Sequence, residues 1–149
     1  MKKIIIILIA LVMFYNGQAQ TERPNTFSDI TLAKAAAQEQ NVPILMIFAG
    51  SDWCKPCIQF KKSILLSESF TTYSTENIVV LYLDFPLKKA NKLSTEQTAH
   101  NNKLAEKYNP SGAFPEILLM DANEVILGNL TFKNQSAEEF IASCQALNR

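Results

Sequence analysis

Cysteine and histidine are scarce in this sequence, and positive and negative charges balance. The 149 residues include three cysteines and one histidine, and the formal net charge is +0. Three cysteines are too few for a framework of structural disulfides. With no basic stripe and no excess of positive charge, a nucleic-acid partner is not expected. A hydrophobic share of 48% is enough for a packed core, so the composition indicates one domain that folds without disulfide staples.

The N-terminus has the pattern of a secretory signal peptide. Lys2 and Lys3 form a positive start, Ile4–Tyr15 is apolar, and Gly17-Gln18-Ala19 supplies small residues for cleavage. The apolar run is shorter than the about 20 residues that span a bilayer, so a cleaved peptide is favoured over an uncleaved anchor. We therefore expect an exported protein, most simply periplasmic, without stable membrane insertion after cleavage. The predicted boundaries are a signal peptide at 1–19, a linker or short edge strand at 20–27, and a domain at 28–149.

Two cysteines three residues apart, Cys54 and Cys57, follow an apolar run typical of a buried strand and precede a helical pattern. This order places Cys54 at a helix N-terminus, where unpaired backbone N–H groups and the helix dipole favour a thiolate. Cys57, one turn later, is close enough to attack a mixed disulfide formed at Cys54. Lys55 can add a small favourable charge, and Pro56 is tolerated in a first helical turn. The motif favours thiol–disulfide exchange.

Other interpretations of the cysteine pair are a zinc site, a structural disulfide and a redox site that has lost its activity. A structural zinc needs four ligands, and beyond the pair the chain offers only Cys144 and His100. Cys144 shares an apolar helical face with Phe140 and Ile141, which predicts a core position. His100 lies on a polar helix and is predicted to face solvent without a partner. We therefore expect no metal at the pair.

Hydrophobic periodicity predicts alternating helices and strands along the chain. The polar segment Phe70–Asn77 is expected to be a connection and Leu87–Leu93 a solvated loop. Strands separated by helices are expected to pair in parallel, and the last two strands to form an antiparallel hairpin. The first predicted helix is capped by Ser28 or Asp29 and ends around Gln40-Asn41. The other predicted helices are Ile58–Ser69, Ser94–Tyr108 and Ser136–Leu147, and the predicted strands are Pro43–Ala49, Ile78–Leu83, Glu116–Met120 and Val125–Phe132.

The motif Trp53-Cys54-Lys55-Pro56-Cys57 after a buried strand, with Pro115 starting a later one, resembles the thioredoxin fold family, especially its exported branch. The resemblance implies an α/β fold with a central mixed β-sheet of about four strands, flanked by helices on both faces. It makes Cys54 the exposed nucleophile, Cys57 the resolving cysteine and Trp53 a residue that shapes the surface of the site. Pro115 matches the family's cis-proline, whose loop pairs with an incoming substrate backbone, and Phe114 matches the position before it.

One part of the family pattern is missing. Thioredoxins carry a buried acid on the strand before the motif, thought to accept the proton of the resolving thiol. Here that neighbourhood is Ile47-Phe48, neither of which can ionise, and Val80 stands about where the acid's partner lysine would be. We hypothesise that Glu116, directly after Pro115, partly replaces the missing acid in proton handling. Unchanged exchange rates after Glu116→Gln would reject this hypothesis.

Together, the motif and the resemblance predict an exported thiol–disulfide oxidoreductase that leans toward reductase or isomerase activity. The Cys54–Cys57 pair is the reacting group, so no organic cofactor is expected. The expected partners are protein thiols and disulfides, and a membrane-embedded thiol protein as electron donor. The alternative is a thioredoxin-fold module that binds peptides at Phe114-Pro115 with vestigial cysteines, and the missing acid is its best support.

Overall fold

The chain folds into a five-stranded sheet with helices on both faces. The computed structural model describes residues 25–149, so the predicted signal peptide lies outside the described residues. The strands are β1 (Thr26–Phe27), β2 (Ile44–Ala49), β3 (Val79–Asp84), β4 (Glu116–Met120) and β5 (Ile126–Leu130). The helices are α1 (Ile30–Gln40), α2 (Lys55–Phe60), α3 (Glu68–Asn77), α4 (Thr95–Tyr108) and α5 (Ala137–Leu147). A π-helical turn over Lys61–Leu65 continues α2, and a 3₁₀ turn lies at Lys89–Asn91.

The sheet has the strand order β1-β3-β2-β4-β5, so β2 lies at its centre. β3 pairs in parallel with both β1 and β2, and β4 and β5 form the predicted antiparallel hairpin. The predicted class of fold is confirmed, with β1 as a fifth strand at the edge. The prediction that helix-separated strands pair in parallel is wrong for β2 and β4, which are antiparallel. The link after α4 carries the chain to the carboxyl end of β2, so β4 begins there, with Glu116 paired with Phe48, and runs in the opposite direction.

The central strand β2 is buried at every residue, which explains its uninterrupted apolar sequence. Its alternate side chains enter two cores. Leu45, Ile47 and Ala49 pack in the core that contains both motif cysteines and Cys144. Met46 and Phe48 pack in the other core, together with residues of α1 and α4. The sheet therefore places the cysteines above one face only.

Side-chain caps define where the helices begin. Asp29 caps α1, accepting the N–H of Thr31 at 2.7 Å. Ser94 caps α4, and Ser136 opens α5 with a full capping box to Glu139. Each of these starts agrees with the predicted one.

The interpretation of Phe70–Asn77 as a connection is wrong, because this segment belongs to helix α3. The hydroxyl of Ser67 caps the helix by accepting the N–H of Phe70 at 3.2 Å. Only Phe70 and Ser74 are buried in it, so a single large apolar side chain anchors the helix. That is too little periodicity to distinguish a helix from a polar connection.

The turn between β4 and β5 is tied to two helices through Glu124, which adopts a left-handed conformation with a φ of 69°. Its carboxylate accepts hydrogen bonds from Lys34 at 2.6 Å, Lys107 at 2.7 Å and the Tyr108 hydroxyl at 2.6 Å. These hydrogen bonds lower the pKa of Glu124 to about 2, and the bond from Lys107 has the largest effect, followed by those from Lys34 and Tyr108. This cluster joins α1, α4 and the hairpin at a point outside the cysteine motif.

No helix within residues 25–149 combines the length and the apolar character that crossing a membrane requires.

Candidate redox site

Cys54 and Cys57 form a disulfide at the start of α2. The S–S distance is 2.02 Å, and the two Cα atoms are 5.2 Å apart. Cys54 is the N-cap of the helix, and the backbone N–H of Cys57 donates to the Sγ of Cys54 at 3.2 Å. This donor is in place to stabilise negative charge on that sulfur once the disulfide opens. The structure thus confirms that the sequence brings the two sulfurs together at a helix N-terminus.

The two cysteines differ little in exposure. Cys54 is 5% exposed and Cys57 is 1% exposed, so the cysteine expected to be exposed is the more accessible one but is still largely covered. Trp53, Lys55 and Pro56 around them are exposed. The small accessible area of Cys54 is thus flanked in the chain by exposed side chains.

The segment Phe114-Pro115 lies against the cysteine motif, as the resemblance implied. Its peptide bond is cis. The Phe114 ring packs edge-on against Trp53 with ring centroids 5.3 Å apart, and against Phe85 at 5.4 Å. The Trp53 indole N–H also donates to the carbonyl of Phe85 at 2.7 Å. These contacts lock the proline loop, the motif and the end of β3 into one surface.

Gly50 makes this position of the indole possible. A Cβ atom built at Gly50 would lie 2.3–2.6 Å from three atoms of the Trp53 indole. Atoms that close would clash, so any side chain at this position would displace the indole. The absence of a side chain at Gly50 is therefore a steric requirement of the site.

Two aspartates hold the loops around the motif. Asp84, at the carboxyl end of β3, accepts hydrogen bonds from the backbone N–H of Ser51 at 2.9 Å and from its hydroxyl at 2.6 Å. The buried side chain of Asn101 on α4 donates to the carbonyl of Asp84 at 2.8 Å. Asp84 therefore anchors the loop that leads into Trp53 and Cys54.

Asp52, in the loop before the cysteines, in turn binds the loop after β3. Its carboxylate accepts the backbone N–H groups of Leu87 and Lys88, each at 3.0 Å, and the side-chain amide of Asn91 at 2.9 Å. The bond from Leu87, with those from Asn91 and Lys88, lowers the pKa of Asp52. The sequence analysis missed both aspartates. The signal that could have found them is their position, since they follow the carboxyl ends of two parallel strands, which meet at one edge of a sheet.

Glu116 lies away from the cysteines. It pairs with Phe48 and so points to the face of the sheet opposite the cysteines. Its carboxylate accepts the side-chain amide of Asn129 at 3.1 Å. Its role in proton handling stays a prediction that this placement does not favour.

The apolar position beneath the motif is confirmed at Ile47, which is buried on the cysteine face. Its neighbour on β3 is Tyr82. Val80, predicted to stand about where the acid's partner lysine would be, lies opposite Leu45 and packs in the same core as Ile47.

The other two residues considered for a zinc site have different surroundings. Cys144 is a buried free thiol in the core, as predicted, and burial raises its pKa to about 12. The prediction that His100 lacks a partner is wrong, because its Nε2 accepts the backbone N–H of Ile30 at 3.1 Å. Within residues 25–149, no three His, Cys, Asp or Glu side chains converge in an arrangement that could hold a metal ion.

The fold and the Cys54–Cys57 disulfide are those of the thioredoxin-like proteins. A family model described as thioredoxin-like matches residues 25–122, and the chain belongs to that family. It is 29% identical over 110 residues to the "Disulfide bond reductase DsbH" of Chlamydia pneumoniae, covering 74% of this chain and 64% of the relative. The chain thus spans less than two thirds of the length of that curated relative.

Solved structures show the same fold. A structure titled "DsbH Oxidoreductase" has a TM-score of 0.74 and 25% identity, covering 89% of this chain and 91% of its own. A thioredoxin from Thermus thermophilus has a TM-score of 0.61 and 16% identity, covering 85% of this chain and 88% of its own. The second likeness concerns the fold alone.

Proposed function

We propose that the protein is an exported thiol–disulfide oxidoreductase that reduces disulfides in other proteins. The observation that carries this proposal is the Cys54–Cys57 disulfide at a helix N-terminus, beside the cis-Pro115 loop. A structural staple is not needed in a chain with two well-filled cores. The similarity to a disulfide bond reductase supports the direction of electron flow.

The reaction begins from the reduced pair. The Cys54 thiolate attacks one sulfur of a substrate disulfide, forms a mixed disulfide and expels the other substrate sulfur as a thiolate. Cys57 then loses its proton and attacks the Sγ of Cys54, which releases the second substrate thiolate and closes the Cys54–Cys57 disulfide. Two electrons pass to the substrate, and its thiolates take up protons from solvent.

The surrounding residues bind and position the substrate. Its backbone pairs with the loop at Phe114-Pro115, and Trp53 forms the adjoining wall of the groove. Lys55 and Pro56, exposed between the cysteines, border the opening above Cys54. The N–H of Cys57 stabilises the Cys54 thiolate that attacks in the first step.

The compartment and the electron donor belong to the same proposal. The signal-peptide pattern at residues 1–19 supports export, most simply to the periplasm. A reductant in an oxidising compartment must be reduced again after each turnover, which supports a membrane-embedded thiol protein as donor. The redox group is the cysteine pair itself, with no added cofactor.

The test is insulin reduction by the purified protein with a regenerating dithiol. We expect Cys54→Ser to abolish turnover and Cys57→Ser to accumulate a mixed disulfide. Cys144→Ala is the matched control and keeps its activity, because Cys144 lies in the core. Turnover that survives Cys54→Ser would refute the proposal. Peptide binding without turnover in the unmodified protein would instead support the binding-module alternative.

The reduction potential of the pair tests the direction. A value near about −270 mV, as in thioredoxin, fits a reductant, whereas one near about −120 mV would assign the protein to the oxidants.

A further inference from the structure

We infer that the disulfide is surrounded by a basic docking surface that selects substrates whose cysteines are flanked by acidic residues. This surface, called the lysine collar below, consists of Lys55 on α2 and Lys88, Lys89 and Lys92 on the loop after β3. The inference rests on the proposed function and adds a substrate class to it. The occupant is an acidic polypeptide segment that carries the disulfide to be reduced.

The loop that carries three of these lysines is fixed beside the motif. Asp52, two residues before Cys54, accepts the N–H groups of Leu87 and Lys88 and the amide of Asn91. Trp53, the next residue, donates to the carbonyl of Phe85 at the start of the same loop. These hydrogen bonds involve the first, middle and later residues of the loop, so they hold the loop against the cysteine motif.

The charges on this side of the molecule are unevenly distributed. The loop at residues 85–93 carries three lysines and no acidic residue, and residues 53–57 of the motif carry Lys55 and no acidic residue. The carboxylates of Asp52 and Asp84 accept hydrogen bonds from backbone N–H groups. All four lysines of the collar are exposed. An incoming acidic segment can therefore pair with these ammonium groups.

Exposed apolar side chains accompany the collar lysines in the chain. Leu87 is 75% exposed and Trp53 is 42% exposed, on either side of the Asp52 anchor. An apolar centre within a charged rim is the usual anatomy of a protein-recognition surface. Charges at such a rim act mainly on the rate of association and on the choice of partner. The protein is thus expected to choose its substrates by the charge that flanks their cysteines.

The experiment measures single-turnover reduction of three synthetic peptides, each cyclised by one disulfide. The residues that flank the two cysteines are Glu in the first peptide, Gln in the second and Lys in the third. The protein is reduced beforehand, and its oxidation is followed by fluorescence of Trp53, the single tryptophan of the chain. Each rate constant is divided by that of the same peptide with dithiothreitol, which removes differences in intrinsic disulfide reactivity.

We expect the normalised rate constant for the Glu peptide to exceed that for the Lys peptide about tenfold at low salt. This ratio should approach one in concentrated salt, where the Debye length falls to about 3 Å. The double substitution Lys88→Gln/Lys89→Gln should reduce the ratio at least about threefold. The matched control Lys103→Gln/Arg149→Gln removes the same charge from α4 and the C-terminus and should leave the ratio unchanged.

Equal normalised rates for the three peptides would overturn the inference, and so would an unchanged ratio in the Lys88/Lys89 variant. A reduction of the ratio in the control variant as large as that in the Lys88/Lys89 variant would also overturn it, because net charge alone would then explain the preference. These outcomes leave the proposed function standing. Failure to reduce any of the three peptides would instead refute the proposed function, and the inference with it.

Discussion

Replacing Gly50 by alanine tests whether the indole of Trp53 is a fixed part of the site. The new Cβ would meet the indole at 2.3–2.6 Å, so the ring must leave its place. It then loses the hydrogen bond to Phe85, worth about 1 kcal/mol, and the edge-on contact with Phe114, worth about 1 kcal/mol. The indole is 42% exposed, so moving it into solvent also uncovers apolar surface that is now buried, which adds to the loss. The free energy of unfolding should fall by at least about 2 kcal/mol.

Chemical denaturation of the oxidised protein measures this loss, and the fluorescence of Trp53 shows whether the indole has moved into water. The matched control is Gly50→Ala in a Trp53→Ala background, where no indole is present to clash. There the substitution should change stability by no more than about 0.5 kcal/mol. If Gly50→Ala costs the same in both backgrounds, the cost arises in the backbone and the reasoning about the indole is wrong.

Two further substitutions and one labelling experiment test the other features of the structure. Glu124→Gln should lower the free energy of unfolding by about 1 kcal/mol at pH 7. Folding depresses the pKa of Glu124 from 4.5 to about 2. The stabilisation by the Glu124 carboxylate is therefore lost as the pH falls from 4.5 to about 2. The difference between Glu124→Gln and the parent protein should therefore shrink toward pH 2, and a constant difference in denaturation curves would contradict the assignment. Cys144, buried and with a pKa raised to about 12, should react with iodoacetamide only after unfolding, so rapid labelling of the native protein would refute its core position. Glu116→Gln should leave the exchange rate unchanged, because its carboxylate bonds to Asn129 on the other face of the sheet; a slower rate would revive its role in proton handling.

Features set by neighbouring residues were predictable from the sequence. The order of strand, cysteine pair and helix follows from an apolar run, a Cys-x-x-Cys and a helical period within about twenty residues, and it placed Cys54 at a helix start. The family resemblance then identified Pro115 and its cis bond. The caps at Asp29, Ser94 and Ser136 were equally local.

Features that depend on distant contacts were not predictable in this way. Asp52 and Asp84 act on residues more than 30 positions away, and their shared position at the ends of two predicted strands is the one feature that distinguishes them from surface acids. The antiparallel pairing of β2 with β4 depends on where the link after α4 ends, which periodicity does not specify. His100 was placed in solvent because its partner, the N–H of Ile30, lies 70 residues earlier.

The way in which Asp52 holds the loop after β3 has a consequence for how this protein could be altered. The carboxylate grips the backbone N–H groups of Leu87 and Lys88, and every residue except proline supplies such a group. The shape of the loop is therefore largely independent of the side chains displayed at these two positions. Substrate preference could change by substitutions there while Cys54 and Cys57 keep their geometry. The reacting cysteines can thus stay constant while the side chains that contact the substrate vary, and Asp52 connects the two parts.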